Sequence, residues 1–267
     1  MTAGTVEVRS PRNPRVKAAA ALARRKIRDA QQRYLVEGPR SVRDLLTSGD
    51  VDEVFAVPEM AVDLEAAAQA AGVRLTVVDE PVLRHLADSV TPQGAVAVAR
   101  QRRADLADVV GRGHLIVLHE VADPGNAGTA IRTAAASGAA GIVLTVGSVD
   151  PWNPKAVRAS AGVVARLPIV TGSPTEDVLV ACAAAEQTRV ALDVAGPTAI
   201  DAPGILTPPV ALLFGNEAHG LPTQMLQAVD EVVAIPLLGP VESLNLAASV
   251  AVAAYAAARA GASRADR

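Results

Sequence analysis

Val232-Val233-Ala234-Ile235-Pro236-Leu237-Leu238-Gly239-Pro240-Val241-Glu242-Ser243-Leu244-Asn245-Leu246 is the stretch around which the rest of the chain is read. Val232–Leu237 is an apolar run, strand-like and broken by Pro236. Gly239-Pro240 is a turn pair. Ser243 then stands before a long Ala/Val-rich run, as an N-cap stands before a helix. A helix mouth offers unpaired N–H groups and favours negative charge. Strand, polar loop and helix N-terminus in succession is how α/β proteins build ligand sites. Taken alone, the stretch fits a capped buried helix equally well.

Working outward, the second half of the chain repeats that unit. Strand-like runs rich in Val, Ile and Leu fall at His114–Val121, Ile142–Val146, Arg166–Val170, Arg189–Val194, Val210–Phe214 and Val232–Leu237. Helical runs separate most of them: Asn126–Ser137, Pro154–Ala161, Thr175–Gln187 and Leu221–Val229. Ser243–Ala260 closes the series, with Gly261 as its expected C-cap. Apolar strands alternating with helices imply a parallel sheet covered on both faces.

The first hundred residues read as a smaller α/β alternation. Val16–Asp29 is expected to be one helix, and the strands and helices that follow end near Arg100. The charged, Gly-flanked Gln101–Gly113 marks the expected boundary, giving domains at 1–100 and 113–267 joined by a linker at 101–112.

Composition narrows the chemistry. Half of the 267 residues are hydrophobic and only 2% are aromatic, so the core is aliphatic. The lone Cys182 excludes an internal disulfide or a cysteine metal cluster. The four histidines lack ligand spacing, so no metal is expected. The N-terminal lead is polar, without the apolar segment of a secretory signal. The longest apolar run, Leu244–Ala258, is shorter than the ~20 residues a membrane helix needs. A soluble cytoplasmic protein is expected, with no membrane partner.

Net charge is −3, yet eleven Lys and Arg against two acidic residues fall between Arg9 and Arg43. Phosphate contacts act at short range, so local density outweighs the total. RNA or another polyanion is the expected partner. Candidate phosphate contacts are Arg9, Arg12, Arg15, Arg24, Arg25 and Arg40, with Lys155 and Arg158 further on.

Two more strand-to-helix loops resemble the opening one. Asp123-Pro124-Gly125-Asn126-Ala127-Gly128 leads to Arg132. Leu213-Phe214-Gly215-Asn216-Glu217-Ala218-His219-Gly220 is bracketed by glycines. Neither is a dinucleotide fingerprint or a P-loop. Three polar loops at the carboxyl ends of parallel strands are expected to meet in one crevice.

Asn126-x-Gly128-x-x-x-Arg132, Gly215-Asn216-Glu217-x-x-Gly220-Leu221 and Ile235-Pro236 with Glu242-Ser243-Leu244-Asn245 together resemble the three motifs of the SpoU/TrmH branch of SPOUT RNA methyltransferases. Asn153-Pro154-Lys155 and Arg158–Gly162 resemble a segment common between the first two motifs. The N-terminal part is similar to the small α/β L30e-like substrate-binding domain of many members.

The resemblance implies a parallel-sheet catalytic domain with a deep trefoil knot, an exception to the rule against knots. It implies a homodimer with the active site at the subunit interface. It also implies methyl transfer from S-adenosyl-L-methionine to a ribose 2′-hydroxyl of RNA, foremost 23S rRNA. A tRNA substrate, or a non-catalytic ribosome-assembly protein on the same fold, is the alternative. By motif position, Gly215, Ile235 and Leu244 would hold the cofactor, with Asn216 and neighbours such as Leu213 and Leu237 lining it. Asn126, Arg132, Glu217, Ser243 and Asn245 would form the catalytic constellation. A guanidinium is effectively always protonated. Arg132 is therefore expected to bind the adjacent phosphate and steady alkoxide charge.

Overall fold

The computed structural model describes residues 7–265; the first six residues of the polar lead lie outside them. In chain order the elements are α1 (Pro14–Ala21), α2 (Arg25–Gln31), β1 (Arg33–Glu37), α3 (Pro39–Leu46), β2 (Val51–Ala56), α4 (Pro58–Ala70), β3 (Arg74–Val77), α5 (Glu80–Leu86) and β4 (Ala95–Arg100). Next come α6 (Leu106–Val109), β5 (His114–Leu118), α7 (Pro124–Ala136), β6 (Gly141–Leu144), α8 (Pro154–Ala159), β7 (Ile169–Thr171) and α9 (Thr175–Ala184). The chain ends with β8 (Thr188–Leu192), β9 (Thr198–Ala199), β10 (Val210–Phe214), α10 (Thr223–Ala228), β11 (Glu231–Ala234) and α11 (Leu246–Ala265). The contacts fall into two compact units. One holds residues 1–101 with 152–165, the other 102–151 with 166–267.

The first unit is a mixed four-stranded sheet, in the order β1-β4-β2-β3. β4 runs antiparallel to both β1 and β2, and β2 is parallel to β3. α1, α3, α4 and α5 carry proline in the first two helical positions. There the missing N–H costs nothing and the fixed φ suits the helix. The core gathers Val16, Leu22, Leu35, Phe55, Val78, Leu83 and Val96. α8, far along the sequence, packs on β1.

The expected single helix Val16–Asp29 is two helices, because of a buried charge. Arg28 is 2% exposed. Its Nη1 donates to the carbonyls of Leu22 (2.8 Å) and Ala23 (2.7 Å), which end α1. Those carbonyls are satisfied by a guanidinium rather than by a continuing helix.

The second unit is a seven-stranded sheet, β7-β6-β5-β10-β8-β11-β9, with every pair parallel. β5, β6 and β10 are buried along their whole lengths, as strands covered on both faces must be. The chain lays β5, β6 and β7 outward in one direction and starts again on the other side with β8. β10 then enters between β5 and β8. α11 returns to pack on α7, β5 and β10. The segment read as a linker carries α6, and its Val109 is buried in this unit's core.

Two expectations for α11 fail. The helix starts at Leu246, after Asn245 rather than after Ser243. Asn245 Oδ1 accepts from the N–H groups of Ala247 (2.9 Å) and Ala248 (3.4 Å), so Asn245 supplies the cap. At the other end the helix passes straight through Gly261. A glycine there costs only about 1 kcal/mol, and that alone does not stop a helix.

Candidate active site

The crevice forms at the carboxyl ends of β8, β10 and β11, beside the start of α7. Each loop is held open by local hydrogen bonds. Asp123 Oδ1 accepts from Asn126 N (2.8 Å), capping α7 and setting Asn126 on its first turn. After β10 the chain doubles back: Gly220 N donates to Asn216 O (2.9 Å), and Asn216 N donates to Gly220 O (3.2 Å). A Cβ at Gly215 would lie 2.2 Å from the Gly220 carbonyl carbon, so only glycine fits. Asn216 Oδ1 accepts from Ala218 N (2.8 Å), and its Nδ2 donates to Glu120 O (2.7 Å).

A chain of side-chain hydrogen bonds ties the three loops together. Asn245 Nδ2 donates to Asn126 Oδ1 at 3.0 Å. Asn126 Nδ2 donates to Glu217 Oε1 at 3.1 Å. The Glu217 carboxylate also accepts from the backbone N–H of Ala122 (3.0 Å) and Asp123 (3.1 Å). Burial alone would raise the Glu217 carboxyl. Hydrogen bonds from Ala122 N, the Asn126 amide and Asp123 N outweigh it and hold the group below the usual carboxylate range. Glu217 is therefore ionised and structurally occupied at neutral pH.

The cleft above this chain has a volume of about 440 Å³. Asn126, Glu217, Ser243 and Asn245 line it, as do Gly215, Asn216, Ile235, Leu237 and Leu244. Two expected residues do not. Leu213 is fully buried in the core beside Val117 and Ala191, because strand alternation turns Phe214 to the cleft instead. Arg132 is exposed and carries no side-chain hydrogen bond or ion pair among the described residues. Six residues beyond Asn126 is about 600° of helical turn, which places it on a different face.

The cleft also has a wall that sequence reasoning missed: Leu192, Asp193 and Val194, where β8 ends. The signal was the same as elsewhere, a strand running into a polar residue and then a glycine. Gly196 lies so close to β11 that a Cβ would come within 2.5 Å of the Val233 carbonyl carbon.

The proposed phosphate contacts separate into two groups. Arg9, Arg12, Arg24, Arg40 and Lys155 are exposed. Arg25 is exposed too and pairs with Asp29 at 3.6 Å. Arg15 instead pairs with Glu53 and donates to Thr76 Oγ1 (2.9 Å). Arg158 faces Asp88 and Glu37. Among the described residues, no group of three or more His, Cys, Asp or Glu could hold a metal, and no helix is long and apolar enough to cross a membrane.

The profile of the SpoU rRNA methylase family matches residues 113–255, the segment that holds all three loops. The chain belongs to the SpoU rRNA methylase family. That of the MRM3-like substrate binding domain matches residues 13–97. A relative from Bacillus subtilis, the 23S rRNA (guanosine(2553)-2′-O)-methyltransferase RlmP, is 31% identical over 93% of this chain and 98% of its own. Among solved structures, an AdoMet-bound rRNA methyltransferase from Sinorhizobium meliloti is 34% identical, with a TM-score of 0.85 over 94% of this chain and 97% of that one. The SpoU methyltransferase AviRb from Streptomyces viridochromogenes, in complex with AdoMet, is 29% identical, with a TM-score of 0.80 over 93% and 98%. As a SpoU methylase, the chain has its three motifs on one crevice, braced by Asn245, Asn126 and Glu217.

Proposed function

We propose that this SpoU methylase transfers a methyl group from S-adenosyl-L-methionine to a ribose 2′-hydroxyl of 23S rRNA. The observation that carries the proposal is the Asn245–Asn126–Glu217 hydrogen-bond chain, which makes one rigid crevice of three separate loops. The crevice suits the cofactor. Its volume lies in the ~300–1,000 Å³ range of small-molecule sites, and it joins apolar Ile235, Leu237 and Leu244 to the polar backbone of Gly215–Asn216. When bound, the cofactor supplies a methyl group on an already activated sulfonium.

The chain's own residues then position and stabilise. Glu217 is saturated by three donors, so its role is to hold Asn126 and the α7 entry in place rather than to take a proton. Ser243 and Asn245 sit at the mouth where the ribose enters. Arg132 binds the phosphate next to the target ribose and steadies developing charge on its oxygen.

Arg132 stands off the cleft of its own chain, and this supports a homodimer in which it completes a second copy's site. α11 supports the same reading. Its exposed side carries Val252 and Tyr255, at 43% and 50% exposure, where a solvated helix would carry charge. The insertion of β10 between β5 and β8, with α11 returning over β5 and β10, supports the deep trefoil knot. The cytoplasm is the proposed place of action, in keeping with a ribosomal RNA substrate.

The test is tritiated methyl transfer to 23S rRNA and, separately, to tRNA, with the modified nucleotide mapped. Label confined to a 23S rRNA 2′-hydroxyl is expected; label in tRNA alone, or none, would overturn the proposal. A mixing test addresses the dimer. Arg132→Ala and Asn126→Ala, each inactive alone, should regain activity when combined, since one chimaeric site is then intact.

A further inference from the structure

The first unit contains a second cavity, of about 380 Å³, that the methyl-transfer reading does not use. We propose that it takes one unpaired nucleobase of the RNA substrate, splayed out of its stack. This rests on the reading of the chain as an RNA methyltransferase.

The cavity is built in advance by one ionic knot. Glu37, at the end of β1, has a side chain only 11% exposed. Its carboxylate accepts from Asp88 N (2.5 Å) and from Ser89 Oγ (2.6 Å), tying down the loop after α5. Arg158 of α8 pairs with the same carboxylate at 3.7 Å and with Asp88. Three elements are thus clamped around the opening, and the cost of ordering them is met before any ligand arrives.

Two walls are bare backbone: Gly38 (φ +94°) and Gly162 (φ +79°), where a side chain would be strained and would push toward Gln93 or Ser41. Ser41, Thr91 and Gln93 add neutral groups that both donate and accept, and Val36, Val157 and Ala161 add apolar surface on which a base can lie. Val90, between the lining residues Ser89 and Thr91, is 96% exposed.

This chemistry selects the occupant. The charged groups of the lining, Glu37 and Arg158, face each other, and Arg158 is engaged by Asp88 as well, so the cavity keeps no uncommitted cation for a phosphate. Neutral donors and acceptors around an open slot suit the edges of an extruded base, the way single-stranded RNA is read. Arg40 precedes Ser41 on α3 and is exposed. Its side chain makes no hydrogen bond or ion pair among the described residues, so a guanidinium stands ready for the phosphate attached to such a base.

The test uses the full-length protein and an in-vitro 23S rRNA transcript carrying 4-thiouridine. Thr91→Trp occupies the slot and Gln93→Ala removes an exposed amide. Both should weaken RNA binding on the order of tenfold, as loss of one base contact does, with melting temperature and S-adenosyl-L-methionine affinity unchanged. Gln93→Ala should leave the salt dependence of binding unaltered, while Arg40→Ala lowers its log–log slope by about 0.7. Crosslinks from the wild type should fall on residues 88–94 or 157–162. Wild-type RNA affinity in both variants, or a lowered salt slope in Gln93→Ala, would overturn the base pocket alone. A wild-type protein that binds the cofactor yet neither binds nor methylates RNA would overturn the reading beneath it as well.

Discussion

Two glutamates, each at the end of a strand, are held by different means. Glu217, after β10, accepts two backbone N–H groups and one neutral amide. Glu37, closing β1, accepts a backbone N–H and a hydroxyl but also faces Arg158. In the cleft the anion is satisfied without a cation, which leaves Arg132 available to a substrate. In the first unit several arginines are consumed internally: Arg158 on Glu37 and Asp88, Arg15 on Glu53, Arg33 and Arg100 on Asp52. A run of arginines in sequence is therefore not yet a basic surface. What matters is which of them the fold leaves uncommitted.

Breaking this contrast at its strongest point means Arg132. Arg132→Lys should lower methyl transfer by roughly 10²-fold or more, the scale of losing a donor aimed at developing charge. Cofactor affinity by calorimetry should not move. Near-wild-type turnover would mean that the uncommitted arginine has no catalytic use.

Glu217→Gln comes next. It puts an amide against N–H donors and, because these bonds are solvent-exposed, should destabilise the protein by only about 0.5–1 kcal/mol in denaturant titrations near neutral pH. The folded pKa of Glu217 lies below its ordinary 4.5. Its contribution is thus complete above that value and is lost as pH falls through the lower folded one. Wild type and variant should converge in acid; a gap that persists undiminished there would contradict the tethered carboxylate.

Asn245→Ala should cost about 1 kcal/mol as a lost helix cap. Asn245→Asp keeps the cap and sets an oxygen against Asn126 Oδ1, so it should retain melting temperature while losing activity. Equal losses in both readouts would reduce Asn245 to a cap. The smallest effects belong to single surface charges. Arg9, Arg12, Arg24 and Arg40, changed singly to alanine, should each lower the salt slope of RNA binding by about 0.7. Arg15→Ala should instead lower thermal stability and leave the slope alone.

The parallel sheet and the meeting of three loops were legible because both are written in short-range chemistry. Apolar runs of strand length, and glycines where backbone must approach backbone, need no knowledge of distant residues. Gly215 is the plainest case. What could not be read depends on partners far along the chain. Arg28 breaks a helix by reaching back to its carbonyls, and Arg158 meets two carboxylates of the N-terminal unit. Leu213 was misplaced for a subtler reason. It neighbours the Gly215 motif, but alternation along β10 sends it to the core and Phe214 to the cleft. Ser243 and Asn245 are both good cap residues, and the sequence reading points to Ser243; the cap is Asn245, which Asn126 also holds in place. The Leu192–Val194 wall was overlooked because its only mark is one Asp and a nearby glycine.

The late position of β10 has a consequence for how the chain is made. It fills the gap between β5 and β8, both synthesised well before it. Until Val210–Phe214 emerges, those two apolar strands each present an unpaired row of N–H and C=O groups, the template on which chains aggregate. A chain terminated before Val210 lacks the strand that closes both edges, and should form large aggregates where the whole chain stops at the proposed dimer.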